Sequence, residues 1–480
     1  MKKKNIIVLT IIIISILVAI SIMVLKNEIE QSKKVVLNIN SIKLEFNKNE
    51  KTDLINLETF NSEKDVIIKY EYGNSKIKIN GQELKRNSEL NLGTIEISVD
   101  SKIEIEIEYK FGETIKYVVN TMNTEFPSYS VDGQSEYEGD YYMSTYSFDY
   151  NTNHFIFKLD EAGKIKYYKK TNKVAFDFRK ETTENGDTRY MYLEAVDDNF
   201  EGLTSLLPSD LVIMDENYNE IERINYLLEN GESIPLENHA YLYLGENHYI
   251  LTAYKAVAKE TTIESETKKV YVMDSYIQEI KDGKIIWEFN TTKYPELYKY
   301  SSLDDLDYEK PYQDYVHINS MEIDKTDGNL LCSYRNIDAV IKIDRKSGEL
   351  IWILGGKGDE FGLTDKQKFS KQHSAISIGN NTIMVYDNGN SNKKSRVLKI
   401  KIDEKNKTIE EYTEYDTGIY AYMMGSVRVL NEEKETYLIC YGGGIYSKYS
   451  VEEIDYQNNE VKFGFTFLNN RMMYNANKIK

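Results

Sequence analysis

Residues 343–354 read IDRKSGELIWIL. An apolar residue and an acid lead into a short polar turn, and an aliphatic and aromatic run leads out, which is the pattern of an antiparallel hairpin. The device recurs as LDEAGKIKYY from residue 159, MDENYNEIERI from 214, KDGKIIWEF from 281, IDEKNKTIEEY from 402 and IDYQNNEVKFGF from 454. The starts lie roughly 50 to 70 residues apart, the spacing of repeats built from several strands. Ahead of four of them lies a second hairpin: HAYLYLGENHYILTAY from 239, HINSMEIDKTDGNLLCSY from 317, HSAISIGNNTIMVYDNG from 373 and GSVRVLNEEKETYLICYG from 425. One unit is therefore two hairpins, or four strands. Six such units arranged radially make a six-bladed β-propeller, an all-β fold that closes on itself and leaves only short edges. A parallel α/β sheet needs amphipathic helices between its strands, and the sequence offers none of convincing length.

The repeat occupies residues 126–480, and what precedes it has a different texture. VVLNINSIKLEF, DVIIKYEYG, KIKING, TIEISVD and KIEIEIEYKF alternate apolar and polar residues between NG, GN and FGE turns, which predicts a small β-sandwich domain over 35–125. It holds no histidine or cysteine and reads as a support module. Residues 6–25, IIVLTIIIISILVAISIMVL, follow MKKK and precede Lys26, an uncharged run long enough to span a bilayer. Lys2, Lys3 and Lys4 hold that end on the cytoplasmic side, and no small-residue cleavage pattern follows. Residues 1–34 are thus expected to be an uncleaved signal anchor and spacer. The protein would be a single-pass component of the cell membrane with its body extracellular.

Lys and Arg number 60 against 78 Asp and Glu, a net charge of −18 spread along the chain, which argues against nucleic acid or an anionic membrane surface as partner. Oligomeric state is not legible. Cys332 and Cys440 match no metal-ligand spacing; a disulfide and two buried free thiols are equally compatible with an exported chain.

Aligning the second hairpins puts His239, His317 and His373 at one register position, the opening of the first strand of three consecutive units. The next unit has Gly425 and Ser426 there. In a propeller that strand lines the central channel, so three imidazoles converge. Asn319 lies two residues beyond His317 and is expected on the same side of the strand, with Arg335 across the hairpin. One strand histidine is usually a satisfied structural residue; three at one repeat position are harder to explain so. His154, before a strand, and His248, at a turn, read as structural or exposed. Three histidines also suit zinc, but an adjacent guanidinium repels a dication and fits an oxyanion instead.

HxN at 317–319, Arg335, IDRKSGELIWILGG at 343–356, HSA at 373–375, VYDNGN at 385–390 with SRVLKIKID at 395–403, and the near-terminal FLNNRMMYNANKI together resemble the bacterial arylsulfate sulfotransferase family. These exported enzymes use no nucleotide sulfate donor. The resemblance implies a six-bladed propeller that moves a sulfuryl group from a phenolic sulfate ester to another phenol, with no cofactor and no metal. It implies that His373 is the nucleophile that becomes sulfated, with His239, His317, Asn319 and Arg335 around the sulfuryl group and Ser426 as a substrate-binding hydroxyl. Two departures stand out: the loop between Gly355 and His373 lacks a cysteine pair that some members carry, and HSA replaces HDA.

Those residue types suit the reaction. Neutral imidazole is a nucleophile at pH 7, Arg335 carries a permanent forked charge, and Asn319 supplies amide N–H groups to oxygens that gain charge. A protonated imidazole can donate to the leaving phenolate and take the proton of the next phenol; His239 is assigned that transfer and His317 the binding of the sulfuryl group. Ping-pong kinetics through a sulfo-histidine follow. Tyr315, Tyr334 and Tyr420 near the channel mouth are candidates to stack on aryl rings, although packing is the commoner role of a tyrosine. The rival readings are a membrane-anchored propeller that only binds, a three-histidine metal-dependent hydrolase, and a sulfatase whose acceptor is water.

Overall fold

A computed structural model describes residues 2–49, 54–110, 112–149, 151–263, 266–301, 312–445, 447–469 and 471–480. Two compact units divide the chain: Met1–Phe126 with Ile165–Lys169, and Pro127–Lys164 with Lys170–Lys480.

The first unit opens with the helix Lys2–Gln31, of which Thr10–Gln31 is long and apolar enough to cross a membrane. A membrane anchor and a signal sequence both present such a helix. Two sheets follow. One orders Ile42–Asn47, Lys34–Ile39, Ile67–Tyr72 and Glu89–Asn91; the other orders Leu54–Asn56, Thr114–Asn120, Lys102–Glu108, Lys76–Ile79 and Gln82–Leu84. The period-two reading explains their burial. In KIEIEIE, Ile103, Ile105 and Ile107 are fully buried while Lys102, Glu104 and Glu108 face solvent, and Phe46 of one sheet meets Tyr117 of the other at 4.7 Å between ring centroids. TIEISVD is not a strand. The Thr121 hydroxyl lies within hydrogen-bond reach of the Glu96 and Ser98 carbonyls and accepts the Ser98 N–H, so local side-chain bonds replace a strand ladder there.

In the second unit five of the six IDRKSG-type segments are the turn between two paired strands, as at Ala339–Ile343 with Leu350–Gly355 and Arg396–Asp403 with Thr408–Asp416. The acid in the motif builds the turn. Asp344 Oδ1 accepts the Lys346 and Ser347 N–H groups, and Asp215, Asp403 and Asp160 fold onto backbone amides in the same way. In KDGK, Asp282 and Gly283 both have positive φ (49° and 71°), the conformation of a two-residue hairpin turn.

Six sheets contain these segments. Their edge strands are Met472–Ile479, Ala175–Thr182, Tyr241–Gly245, Ile318–Ile323, Ala375–Gly379 and Ser426–Asn431. The first sheet pairs the C-terminal strand Met472–Ile479 with Asp140–Tyr146, the early strand of this unit, which ties the two ends of the unit together. Side chains link neighbouring edge strands: Asn477 Nδ2 to Asp177 Oδ1 at 3.0 Å, Arg179 Nη2 to the Tyr241 carbonyl, the Ala375 N–H to Ser320 Oγ at 2.9 Å, Arg428 Nη1 to Ser374 Oγ at 3.1 Å, and Arg428 Nε to Asn477 Oδ1 at 3.2 Å.

The core lies between consecutive sheets. Leu330, Cys332 and Ile341 pack toward Ile250, Met273 and Ile277 of the preceding sheet, whereas Leu331 and Val340 point the other way, toward Ile383, Val385 and Leu398. Strands buried on both faces lose polar alternation, which is why LLCSY and AVIKI read almost continuously apolar. Cys332 and Cys440 are buried free thiols in these layers. Among the cations buried in this unit, the fully buried Lys342 ammonium meets Asp324 and Asp327, each at 2.8 Å, and Glu404.

Candidate active site

The three histidines sit in the segments that lead into edge strands: His239 two residues before Tyr241–Gly245, His317 one before Ile318–Ile323, and His373 two before Ala375–Gly379. Equivalent positions in neighbouring sheets bring them together. Ring centroids of His239 and His317 are 4.7 Å apart, and those of His239 and His373 are 6.3 Å apart. Tyr474, on the C-terminal strand, lies 5.0 Å from His373 and 5.8 Å from His239.

Each imidazole is fixed through Nδ1. His239 Nδ1 donates to Glu237 Oε2 at 2.7 Å, and the Glu237 carboxylate is itself held by the His239 and Ala240 N–H groups and the Thr252 hydroxyl. His317 Nδ1 donates to Asp314 Oδ2 at 2.5 Å, in a turn closed by His317 at φ 55°. His373 Nδ1 donates to the Gly425 carbonyl at 2.6 Å, while its Nε2 is buried and has no hydrogen-bond partner among the described residues. A neutral imidazole whose Nδ1 carries the proton has its lone pair on Nε2. Burial pushes the His373 pKa well below the usual histidine range, and the neighbouring His239, His317 and Arg335 add to that. Burial also lowers His239, against the opposing pull of Glu237. Arg335 begins a turn directly after the strand Leu330–Tyr334, its backbone N–H on the His317 carbonyl at 2.9 Å and its Nη1 on Asn336 Oδ1 at 2.9 Å. Burial lowers its pKa from a value so high that the guanidinium stays charged at neutral pH.

Two cavities meet at His239, His373 and Tyr474. One, of about 470 Å³, is lined by His317 and Arg335 and by Tyr146, Phe148, Phe176 and Met424, with Phe148 53% exposed at its outer end. The other, of about 320 Å³, is polar, and Asn319, Ser426, Arg428 and Glu322 line it. Phe176 and Tyr474 of the edge strands join segments outside them in the first, and the second is lined mainly by the edge strands together with the residues that lead into them.

The expectation that Asn319 shares a side with His317 is therefore corrected. The pairing register shifts between Ile318 and Ser320, so Asn319 sits in a β-bulge, and His317 has left-handed backbone; together these turn the two side chains into different cavities. Asn319 Nδ2 donates to the Gln372 carbonyl at 2.6 Å and its Oδ1 is buried without a partner among the described residues. Ser426 Oγ receives a long hydrogen bond, 3.4 Å, from the Ala476 N–H. Tyr315 and Tyr334 are buried in the core, their hydroxyls on Asp274 and Ser275, and neither they nor Tyr420 line these cavities. His154 is buried at the start of a strand, and His248 Nε2 pairs with Glu279 at 2.6 Å. The reading of single residues missed Glu237, Asp314, the Gly425 carbonyl as the acceptor of the His373 Nδ1 proton, and Tyr474. Glu237 and Asp314 lie two and three residues before their histidines, a signal present in ENH and DYVH.

Among the described residues, the three-residue cluster with ligand atoms near enough to share a cation is Asp324, Asp327 and Glu404, where the Lys342 ammonium already sits. The three imidazoles form no such cluster.

Imidazoles and a guanidinium beside aromatic walls are the side-chain types that can bind an oxyanion carried on an apolar, planar body. The arylsulfotransferase (ASST) family model matches residues 117–475, and the chain belongs to that family of enzymes. It is similar to arylsulfate sulfotransferase AssT of Escherichia coli O6:H1, with 25% identity over 34% of this chain and 34% of that protein. The match thus spans about a third of the curated relative's length. Among solved structures, a Bacteroides caccae protein of unknown function aligns with a TM-score of 0.41 at 10% identity, covering 72% of this chain and 99% of that one. The periplasmic gluconolactonase PpgL of Pseudomonas aeruginosa aligns with a TM-score of 0.34 at 8% identity, covering 73% of this chain and 99% of that one.

Proposed function

We propose that the chain is an arylsulfate sulfotransferase that moves a sulfuryl group from a phenolic sulfate ester to a phenol through a sulfo-histidine on His373. The observation that carries this is the unpartnered Nε2 of His373, its tautomer set by the Gly425 carbonyl, between a guanidinium-lined aromatic cavity and a polar one.

The donor's ring lies in the cavity of Tyr146, Phe148 and Phe176, with its sulfate toward the histidines. His373 Nε2 attacks sulfur in line with the aryl oxygen; the N–S bond forms as the S–O(aryl) bond breaks. Arg335 and His317 hold the sulfuryl oxygens, and Asn319 and Ser426 approach them from the polar side. A buried imidazolium beside an arriving monoanion is offset in charge, so His239 accompanies the bound donor in protonated form and passes its proton to the leaving phenolate. The acceptor phenol then returns a proton to His239, its oxygen attacks sulfur, and the N–S bond breaks. Glu237 and Asp314 are the positioning partners of His239 and His317.

Six successive sheets, linked edge to edge and tied together by a C-terminal strand in the first of them, support the reading of the second unit as a six-bladed propeller. We read residues 35–125 as a β-sandwich support module and the apolar helix as a single-pass anchor that leaves the catalytic body outside the cell. Cell fractionation with external protease tests the anchor: a body that stays protected overturns that topology.

The full chain is incubated with a chromogenic aryl sulfate, without and with a phenol, and its intact mass is recorded for wild type and His373→Ala. A sulfuryl adduct confined to wild type, with chromophore release that depends on phenol, is the expected result. Turnover close to wild type in folded His373→Ala would sink the assignment.

A further inference from the structure

The polar cavity has features that transfer between phenols does not require. Its inner end reaches His373 and Asn319, which are 4% and 1% exposed, and its lining includes the solvent-accessible side chains of Glu181 and Arg179, 27% and 17% exposed. The walls run from protein surface to nucleophile. Arg179, Lys180 and Arg428 balance Asp177, Glu181 and Glu322 along them, so the cavity favours neither an anion nor a cation. Two buried acceptors on its lining, Asn319 Oδ1 and Asn475 Oδ1, have no hydrogen-bond donor among the described residues. Buried acceptors of this kind are normally satisfied, and a neutral molecule that donates two hydrogen bonds and fits beside them is water. The other cavity differs in carrying Tyr146, Phe148 and Phe176 beside its polar groups, and in the reading above the phenol ring lies against them.

We infer that the polar cavity delivers water to the sulfuryl group on His373, giving the enzyme a second activity, hydrolysis of aryl sulfates, when no phenol occupies the aromatic side. The inference rests on the sulfo-histidine reading above. Water oxygen attacks sulfur as the Nε2–S bond breaks. One water proton restores the proton that His239 gave to the departing phenolate, and the other leaves with the product to solvent. The sum is aryl sulfate plus water to phenol, sulfate and one proton. Ser426 and Asn319 stand where they would orient the attacking water as well as the sulfuryl oxygens.

The test uses the full chain with 4-nitrophenyl sulfate and no acceptor, in water enriched in oxygen-18. The adduct on His373 is followed by mass and the released sulfate by its isotope content. Two variants narrow the polar cavity without touching the catalytic groups. Leu242→Trp adds bulk at a half-buried lining position, and Asn475→Leu removes one of the unpartnered acceptors. The expected result is one labelled oxygen per sulfate in the wild type. In each variant, sulfate release should fall about fivefold or more while the adduct forms at the wild-type rate and accumulates; that split is one a merely destabilised protein does not show. An adduct that forms but releases no sulfate overturns the inference and leaves the transferase reading standing. So does release unchanged in both variants, which would route water through the aromatic cavity. Absence of any adduct on His373 overturns both.

Discussion

Asp314→Asn removes one charge and almost no volume from the most closely held pair in the site. Asp314 Oδ2 lies 2.5 Å from His317 Nδ1, and both side chains are 7% exposed, so solvent screens the pair little. The carboxylate accepts the Nδ1 proton and also helps to keep Arg335 charged. A hydrogen bond to a charged group contributes about 1.5–3 kcal/mol and a neutral one about 0.5–1.5 kcal/mol, so substituting the amide costs about 1–2 kcal/mol of positioning. At about 1.4 kcal/mol per decade that is a roughly five- to thirty-fold fall in kcat/KM. If the new amide turns its N–H toward Nδ1, the imidazole proton moves to Nε2 and the loss deepens. The assay is kcat/KM for 4-nitrophenyl sulfate with phenol as acceptor, on a variant shown to be folded by circular dichroism and thermal melting. A folded variant within about twofold of wild type refutes the claim that this carboxylate sets His317 for the reaction.

Single-turnover sulfation of His373 by 4-nitrophenyl sulfate, whose weakly basic leaving group makes the rate least sensitive to proton transfer from His239, should be flat from pH 8 to pH 6. The pKa of His373 is lowered, so its Nε2 lone pair survives as pH falls, whereas a group at about 6.5 would lose roughly three quarters of its neutral form by pH 6; a fall of that size means an unperturbed nucleophile. Gly425→Ala should cost about 2–4 kcal/mol in denaturant unfolding and abolish adduct formation, since Gly425 has φ 97° and a Cβ there meets Tyr386 Cε1 at 2.6 Å and the Cys440 carbonyl at 2.8 Å; wild-type adduct formation would show that the Gly425 carbonyl does not orient His373. Lys342→Met strands three carboxylates and should destabilise the protein by about 3–5 kcal/mol, part of it recovered with calcium because oxygens of Asp324, Asp327 and Glu404 lie within 4.8 Å of one another. Unfolding curves with and without calcium decide it, and an unchanged midpoint in the variant contradicts the role given to the ammonium.

The hairpins were legible because their turn chemistry is local. Asp344 folds onto its own backbone within three residues, and Asp282-Gly283 needs nothing beyond its two positive φ values. TIEISVD failed for the opposite reason: its backbone partners come from Thr121, some two dozen residues away, and period-two alternation carries no trace of that. The convergence of His239, His317 and His373 was legible because register repeats with the sheet. Tyr474 was not, since it reaches the site only by the pairing of the C-terminal strand with Asp140–Tyr146.

The bulge at Asn319 separates what repeat position can specify from what it cannot. Repeat position fixes which strand a residue opens; it does not fix whether one extra residue turns the next side chain over, because a bulge is a property of the paired strand as much as of its own sequence. In this chain that single shift puts His317 with Arg335 in an aromatic cavity and Asn319 with Ser426 in a polar one, with His239 and His373 common to both. If His373 is the nucleophile, as proposed, it can be approached from either of the two cavities. Aromatic walls select phenols on one side, and unpartnered acceptors select water on the other. On the proposed mechanism, the balance between transfer and hydrolysis would be set by the walls of the two cavities, while the imidazoles and the guanidinium serve both.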